Sequence, residues 1–306
     1  MNEKRYRVFS EYLKKKYAGR VHKISIDAGF SCPNRGGNRS RPGCLFCDPG
    51  GSGAVGIERD FSVREQIERG REVMLRKYKA KAFIAYFQPF SNTFAPVSQL
   101  RHYYDQALAT SDVVGLAVGT RPDCLPPEVL DLLAEYHRRT DFWLEIGLQS
   151  SHDATLALLR RGHDYATFLR AYAGAKERGL QVCVHVILGL PGETREQMLA
   201  TANEMARLQV DGIKIHLLHV LAGTPLGELY RAGKVSVLEQ EAYVALVVDF
   251  LERLHPETFI QRLTGDGPRA QLLAPPWSLN KWEVLNAIDA ELVRRNSRQG
   301  TAFAGA

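Results

Sequence analysis

Short apolar runs alternate with longer amphipathic segments along most of the chain. An apolar run of about four to eight residues is typical of a buried strand, whereas apolar positions three and four apart are typical of a helix. The predicted strands occupy residues 23–27, 82–87, 113–118, 142–147, 181–188 and 212–218. The predicted helices occupy residues 62–79, 96–110, 127–138, 153–161 and 165–178, with another beginning at 194. This alternation predicts strand–helix units and a parallel sheet.

The number of strand–helix units predicts an α/β fold, namely a partial (β/α)6 TIM-like barrel rather than the closed barrel of eight units. We divide the chain into an N-terminal extension at 1–22, a barrel at 23–226 and a mostly helical C-terminal extension at 227–306. In barrels of this kind the functional residues lie at the carboxyl ends of the strands. We therefore look for chemistry in the segments that follow the strands.

Composition sets limits on location and partners. The 306 residues contain no run of about 18 apolar residues, which a membrane-spanning helix needs. Residues 1–16 lack the apolar segment of a secretory signal, and five cysteines are too few for a disulfide scaffold. The sequence thus predicts a cytoplasmic protein without membrane contact. Its net charge of +6 permits binding to RNA or another polyanion but does not require it.

Three cysteines lie in a long loop after the first predicted strand, at residues 28–56. Cys32, Cys44 and Cys47 have the spacing Cys-x11-Cys-x2-Cys. Two thiolates this close in sequence can face one metal centre, and the glycines and prolines between Cys32 and Cys44 let the chain fold back. An iron–sulfur cluster normally takes four thiolates. Three cysteines therefore indicate a cluster with one iron open to another ligand.

Other interpretations of the cysteines stay open. A structural zinc site in a non-enzymatic binding module needs a fourth Cys or His, and His22 is poorly placed to supply it. Cys183 lies in an apolar strand, which favours a role as a small buried hydrophobic residue. Cys124 follows the third strand, and its side chain either packs in the protein interior or faces the active site.

The cysteine pattern, with Phe46 before its last member, resembles that of radical S-adenosylmethionine (SAM) proteins. The first spacing is longer than usual for that superfamily, and a lengthened spacing also occurs in the branch related to the Elongator catalytic subunit, an enzyme linked to modification of wobble uridine in tRNA. Further segments similar to that branch are 119–123, 145–150, 187–193 and 214–218. Segments similar to a bacterial family related to that subunit are 26–30, 87–93 and 277–282. No acetyltransferase-like segment follows, so the resemblance does not imply acetyl transfer.

The resemblance implies a partial barrel of radical SAM type with two cofactors. A [4Fe–4S] cluster would be held by Cys32, Cys44 and Cys47, and SAM on the open iron would be cleaved reductively to a 5′-deoxyadenosyl radical. The implied SAM contacts are Phe46 beside the last cysteine, Gln88, Ser91 and Asn92 for the amino group, Glu145 and Gln149 for the ribose, Arg160 or Arg161 for the carboxylate, Gly189 near the adenine, and Leu217 on the sixth strand.

The resemblance also implies partners, namely an RNA substrate, in particular a tRNA base, and an electron donor such as flavodoxin or ferredoxin. The same chemistry on a small molecule or a protein side chain is the alternative. Several residues have a structural alternative as well. Glu145 can pair with a partner such as Arg121, and the polar residues after the second strand can form a turn. Trp277 and Trp282 can stack bases or anchor the C-terminal segment.

Overall fold

The computed structural model describes residues 4–51, 60–265 and 267–304. Seven strands form one parallel sheet in the order β1-β2-β3-β4-β5-β6-β8. These strands are β1 (Val21–Ile26), β2 (Ala82–Phe87), β3 (Val113–Thr120), β4 (Asp141–Gln149), β5 (Val182–Leu188), β6 (Gly212–Leu217) and β8 (Phe259–Arg262). A separate antiparallel pair consists of β7 (Val220–Leu221) and β9 (Leu272–Ala274).

Helices follow most strands, as the sequence predicts. They are α1 (Phe9–Lys16), α2 (Val63–Tyr78), α3 (Val97–Leu108), α4 (Pro127–Arg139), α5 (Asp153–Leu158), α6 (Tyr165–Glu177), α7 (Arg195–Arg207), α8 (Pro225–Arg231), α9 (Gln240–Arg253) and α10 (Lys281–Arg294). The predicted start signals are present, because Ser62 caps α2 and Thr194 caps α7 in capping boxes. None of the helices in the described ranges is long and apolar enough to cross a membrane.

The two faces of the sheet pack against different partners. Successive residues of a strand point to opposite faces. On β2, Phe83, Ala85 and Phe87 belong to the large core shared with the helices, whereas Ile84 and Tyr86 belong to a second cluster. All six residues of β2 are buried, which explains its unbroken apolar run.

The second cluster closes the amino-terminal end of the barrel interior. Phe9 of α1 meets Trp143 of β4 edge to face, with ring centroids 4.9 Å apart, and meets Phe259 of β8 at 5.8 Å. Val8, just before α1, forms a bridge with Ile260 at the free edge of β8. The N-terminal extension therefore plugs one end of the barrel, which leaves the other end for the site.

The fold class predicted from the sequence is confirmed, with one addition. The segment at 227–306, predicted to be mostly helical, contains the end of α8 and helices α9 and α10, which together make up less than half of it, and it also contributes the seventh parallel strand, β8, and one strand of the small pair. The sequence analysis missed β8 because it has only four residues, two of them the polar Gln261 and Arg262. The end of the predicted loop at 52–56, Asp266 and the extreme termini lie outside the described residues.

Candidate active site

The loop after β1 brings the three cysteines to the carboxyl ends of the strands. A short 3-10 turn at Pro33–Arg35 follows Cys32. Gly36 and Gly37 then adopt positive φ angles of 57° and 78°, which favour glycine, and Gly37 N–H donates to the Cys32 carbonyl. This reversal folds the chain back as the eleven-residue spacing requires.

The segment from Cys44 to Cys47 is held on both sides by backbone hydrogen bonds. Leu45 N–H donates to the Leu159 carbonyl after α5, and the Leu45 carbonyl accepts from Leu226 N–H in α8, at 3.0 and 2.9 Å. Cys47 N–H donates to the Cys44 carbonyl at 3.0 Å, which closes a turn between the two thiols. The first turn of α8 thus helps to fix the cysteine pair.

Each of the three cysteine sulfurs has a guanidinium group within hydrogen-bonding distance. The pairs are Arg121 with Cys32 at 3.7 Å, Arg161 with Cys44 at 3.2 Å and Arg35 with Cys47 at 3.3 Å. Asn34 Nδ2 also donates to Cys44 Sγ, at 3.1 Å. N–H groups and positive charge at sulfur are the environment that stabilises a thiolate ligand.

Two of these arginines are buried and have no carboxylate partner within residues 4–51, 60–265 and 267–304. Arg35 and Arg161 are 3% and 6% exposed. Besides the cysteine sulfurs, the described groups that accept hydrogen bonds from these two guanidinium groups are backbone carbonyls. Arg161, for example, donates to Gly147 O at 2.6 Å. A buried charge costs several kcal/mol unless an opposite charge compensates it. The cysteines at 44 and 47 are the groups placed to supply that charge as thiolates. Arg121 differs, because Asp123 binds it through both oxygens.

The thiol pKa of Cys44, in the loop, is lowered, whereas the pKa values of the two isolated cysteines are raised. Burial acts to raise the pKa of Cys44, but the charges of Arg161 and Arg121 and the hydrogen bonds from Arg161 and Asn34 bring that pKa below its usual value. Burial raises the pKa of Cys124 to about 12 and that of Cys183 still further. Cys124 and Cys183 therefore remain thiols at neutral pH.

The donor set fits an iron–sulfur cluster with three cysteine ligands. None of the five cysteines, all in the described ranges, forms a disulfide. Among residues 4–51, 60–265 and 267–304, no three His, Cys, Asp or Glu side chains converge on a point that suits one metal ion. A structural zinc ion needs four ligands within about 2.3 Å. A cluster differs from a single zinc ion in that it spreads its thiolates over several irons.

The residues predicted to bind the SAM amino group follow β2. Gln88 Oε1 accepts a hydrogen bond from Ser25 of β1 at 2.9 Å. Asn92 donates through Nδ2 to Pro89 O and Gly119 O, at 3.0 and 2.9 Å, and so ties this turn to the end of β3. Asn92 Oδ1 is buried without a partner among the described residues. The turn-forming and ligand-binding interpretations are thus compatible, because the amide donors hold the turn while the oxygen remains an acceptor.

Glu145 lies inside the barrel in a buried ionic layer. Its carboxylate accepts from Lys23 of β1 at 2.6 Å, from His185 of β5 at 2.7 Å, and from Lys214 of β6. Burial acts to raise the pKa of Glu145, but the charges of Lys214 and Lys23 hold it well below its usual range. The structural partners of Glu145 are therefore these lysines, not Arg121. Its predicted contact with ribose stays a prediction.

Gln149 ends β4 in a left-handed conformation, with φ of +81°, beside a register shift against β5. Its side chain folds back over Gly147, where an added Cβ would lie 2.8 Å from Gln149 Nε2. Non-glycine residues rarely adopt this conformation, and such positions cluster at functional sites. Gln149 thus sits at the strand end where the ribose contact is predicted.

The two neighbouring arginines after α5 differ in the exposure and contacts of their side chains. The side chain of Arg160 is exposed, and its backbone carbonyl accepts from Asn34 Nδ2 at 2.6 Å. Arg161 is the one that reaches the cysteine loop and Gly147. Arg161 rather than Arg160 therefore lies beside the cysteine loop, and a contact of either arginine with the SAM carboxylate remains a prediction.

Phe46, Gly189 and Leu217, also predicted to contact SAM, lie in three different environments. Phe46 is half-buried, with its ring centroid 6.0 Å from the Arg161 guanidinium. Gly189 has φ of +80°, and an added Cβ would lie 3.1 Å from Leu238, on the wall of a pocket of about 170 Å³. Leu217 packs with Ile215 in the core shared with the helices, so any contact to a cofactor would use its backbone.

Sequence reasoning missed the residues that surround the sulfurs and the ionic layer. Arg35, Asn34, Lys23 and Lys214 received no role from their motifs. A usable signal existed for Arg35, because it lies three residues after Cys32 in a loop already assigned to a cluster. No local pattern could pair Glu145 with Lys23, which is 122 residues away.

The chain belongs to the radical SAM superfamily. The sequence model of that superfamily matches residues 32–205, from the first loop cysteine to α7. A model described as the Radical_SAM C-terminal domain matches residues 210–294. The chain is therefore a radical SAM enzyme, whose superfamily binds a [4Fe–4S] cluster and SAM and requires a reductant.

Relatives match over nearly the whole chain. The protein YtqA of Bacillus subtilis (strain 168) is 46% identical over 98% of this chain and 94% of its own length. The protein YhcC of Escherichia coli (strain K12) is 40% identical over 98% of this chain and 96% of its own length. Elongator complex protein 3 of Saccharomyces cerevisiae is 31% identical over 54% of this chain and 29% of its own length.

Among solved structures, the fold is similar to that of the archaeal Methanocaldococcus infernus Elp3. The TM-score is 0.70 at 16% sequence identity, covering 91% of this chain and 64% of that one. Streptococcus suis SuiB bound to S-adenosylmethionine gives a TM-score of 0.54 at 11% identity, covering 84% of this chain and 54% of that one. These likenesses confirm the partial-barrel fold.

Proposed function

We propose that this radical SAM enzyme modifies a base of tRNA. The observation that carries the proposal is the likeness of the barrel to Elongator complex protein 3 and to the tRNA uridine(34) acetyltransferase of Dehalococcoides mccartyi, which is 31% identical over 161 residues. The second relative is named for its substrate, uridine 34 of tRNA. The alignments span only 29% and 34% of these two relatives, so acetyl transfer is not part of the proposal.

The charge of the chain supports a polyanionic substrate. The net charge is +6, and Lys and Arg side chains that neutralise phosphates supply most of the affinity of proteins for nucleic acids. The charge alone does not select RNA, so it supports the proposal only together with the likeness to proteins that act on tRNA.

We assign the cofactor contacts as part of the same proposal. Cys32, Cys44 and Cys47 hold the cluster, which supplies one electron to break a carbon–sulfur bond of SAM when both are bound. The buried Asn92 Oδ1 is an available acceptor for the SAM amino group, as in the sequence prediction. Arg161 is the cation beside the loop that suits its carboxylate.

The remaining contacts and the electron source complete the assignment. Gln149, at the strained end of β4, is the proposed ribose ligand. The glycine at 189 permits close approach of a ligand to the backbone. An electron donor such as flavodoxin or ferredoxin would reduce the cluster from the open end of the barrel.

Mass spectrometry of nucleosides tests the proposal directly. Total tRNA is digested from a strain that lacks the gene and from its parent. The proposal predicts that one modified nucleoside disappears from the mutant while its precursor accumulates. The wild-type gene should restore the nucleoside, and a gene encoding Cys47→Ala should not.

An unchanged nucleoside profile under several growth conditions would contradict the tRNA substrate. It would favour a small molecule or a protein side chain as substrate. The membership of the radical SAM superfamily would stand, because it rests on the fold and on the sequence match at 32–205.

A further inference from the structure

The barrel wall formed by β6 and β8 carries buried polar atoms that form no hydrogen bond with any described residue. His216 Nε2, Gln261 Nε2 and Thr264 Oγ1 are each buried without a hydrogen-bond partner among the described residues. Thr264 is only 1% exposed. Buried polar groups are nearly always hydrogen-bonded, so a group of exceptions on one wall indicates a missing partner such as a ligand or ordered water.

The same wall carries an arginine for which the described residues provide no counter-ion. Arg262 of β8 lies opposite Lys214 of β6 in the strand register. In the part of the chain that the structure describes, no carboxylate forms an ion pair with Arg262. Burial is the main cause of the lowered pKa values of His216 and His185, and the charge of Arg262 lowers both further. This charge therefore acts inside the barrel.

The described neighbouring groups do not compensate this charge. Glu145, the acid of the ionic layer, is already shared by Lys23 and Lys214. Burial lowers the pKa of His185 to about 4 and that of His216 well below its usual value, so both rings are neutral at pH 7. Burial also lowers the pKa of Lys214 to about 7, and Lys23 and Arg262 still outnumber Glu145 among these groups.

A glycine lets the chain after β8 approach the imidazoles closely. An added Cβ at Gly265 would lie 2.9 Å from His219 Cε1 and 3.7 Å from His216 Nδ1. The first distance is closer than real Cβ contacts, so a larger residue here would displace the His219 ring. The wall therefore combines a guanidinium that has no carboxylate partner among the described residues with buried polar atoms that lack hydrogen bonds.

We propose that this wall, formed by His216, Gln261, Arg262 and Thr264, binds an oxyanion group of the substrate, either a carboxylate or a phosphate. A planar guanidinium accepts two oxygens of either group side by side. The amide, imidazole and hydroxyl groups provide further N–H and O–H donors to the same anion. The inference rests on the proposed function only in taking the barrel interior as the place of the substrate.

Anion titrations followed by NMR test this inference without turnover. Anaerobic holoenzyme with an oxidised cluster and isotope-labelled histidines is titrated at pH 7.5 with sodium phosphate and, separately, with sodium acetate at constant ionic strength. The His216 resonance, assigned with His216→Gln, is the reporter. We expect a saturable shift in wild type, a dissociation constant at least tenfold higher in Arg262→Gln, and no change in Arg64→Gln, a control on the exposed face of α2.

Each outcome decides the inference. Saturation by phosphate alone identifies a phosphate group, and saturation by acetate alone identifies a carboxylate. The absence of a saturable shift with both salts, or equal affinities in wild type and Arg262→Gln, would overturn it. This result is independent of the tRNA profile, because anion binding with unchanged tRNA would point to an anionic small molecule, whereas a lost nucleoside without anion binding would leave the tRNA proposal intact.

Discussion

The two ends of the barrel interior are built from opposite kinds of residue. At the amino-terminal end, the rings of Phe9, Trp143 and Phe259 pack edge to face and exclude water. At the carboxyl end, Arg35 and Arg161 are buried beside cysteine sulfurs without carboxylate partners among the described residues. One end therefore stabilises the fold, while the other retains costly charges that a bound cofactor would compensate.

Loss of a cluster ligand should have the largest effect on the carboxyl end. We expect Cys44→Ala, reconstituted anaerobically, to lose nearly all bound iron and the absorbance of the cluster, because three thiolates are the minimum set. The measurement is iron and sulfide per folded monomer. Iron equal to that of wild type would show that Cys44 is not a ligand.

Truncation of the aromatic plug should have the largest effect on stability. We expect Trp143→Ala to lower the free energy of unfolding by about 3–5 kcal/mol, because it leaves a cavity among buried rings. Urea denaturation measures this loss. The matched control is Trp282→Ala, since Trp282 is 73% exposed and should change stability by less than about 0.5 kcal/mol. A small loss for Trp143→Ala would mean that the plug does not carry stability.

Removal of a guanidinium beside a sulfur should have an intermediate effect. We expect Arg161→Gln to weaken cluster retention about 10–100-fold, equivalent to about 1.4–2.7 kcal/mol, because the hydrogen bond and charge at Cys44 are lost. The time course of iron loss to a chelator measures it. Arg160→Gln, one residue away with an exposed side chain, should retain iron like wild type. Equal loss in both variants would contradict the distinction between the two arginines.

Substitution of an isolated cysteine should have the smallest effect. We expect Cys183→Ala to keep full iron content and to lose only about 1 kcal/mol of stability, because the side chain is a buried thiol among apolar neighbours. Iron analysis and urea denaturation measure both quantities. A fall in iron content would require Cys183 to act as a ligand.

Much of the fold could be predicted because its signals are local. The apolar run 82–87 matches β2, and the capping boxes at Ser62 and Thr194 mark real helix starts. Strand β8 has too few residues for such a signal, and its pairing with β6 depends on the folded barrel.

The candidate site likewise has features that the sequence could predict and features that it could not. The cysteine spacing and the segments after the strands could be recognised along the chain. The contacts of Arg35 with Cys47 and of Glu145 with Lys23 and Lys214 could not, because they depend on how loops and strands far apart in sequence meet. Charge compensation at the sulfurs is a property of the assembled loops.

Reductive cleavage of SAM tests the central claim most directly. Anaerobically reconstituted wild-type protein and Cys47→Ala are each incubated with SAM and dithionite, and 5′-deoxyadenosine is quantified by mass spectrometry. The account predicts product from wild type and none above background from Cys47→Ala. Equal amounts of product from both proteins, or none from wild type with a full cluster, would contradict it.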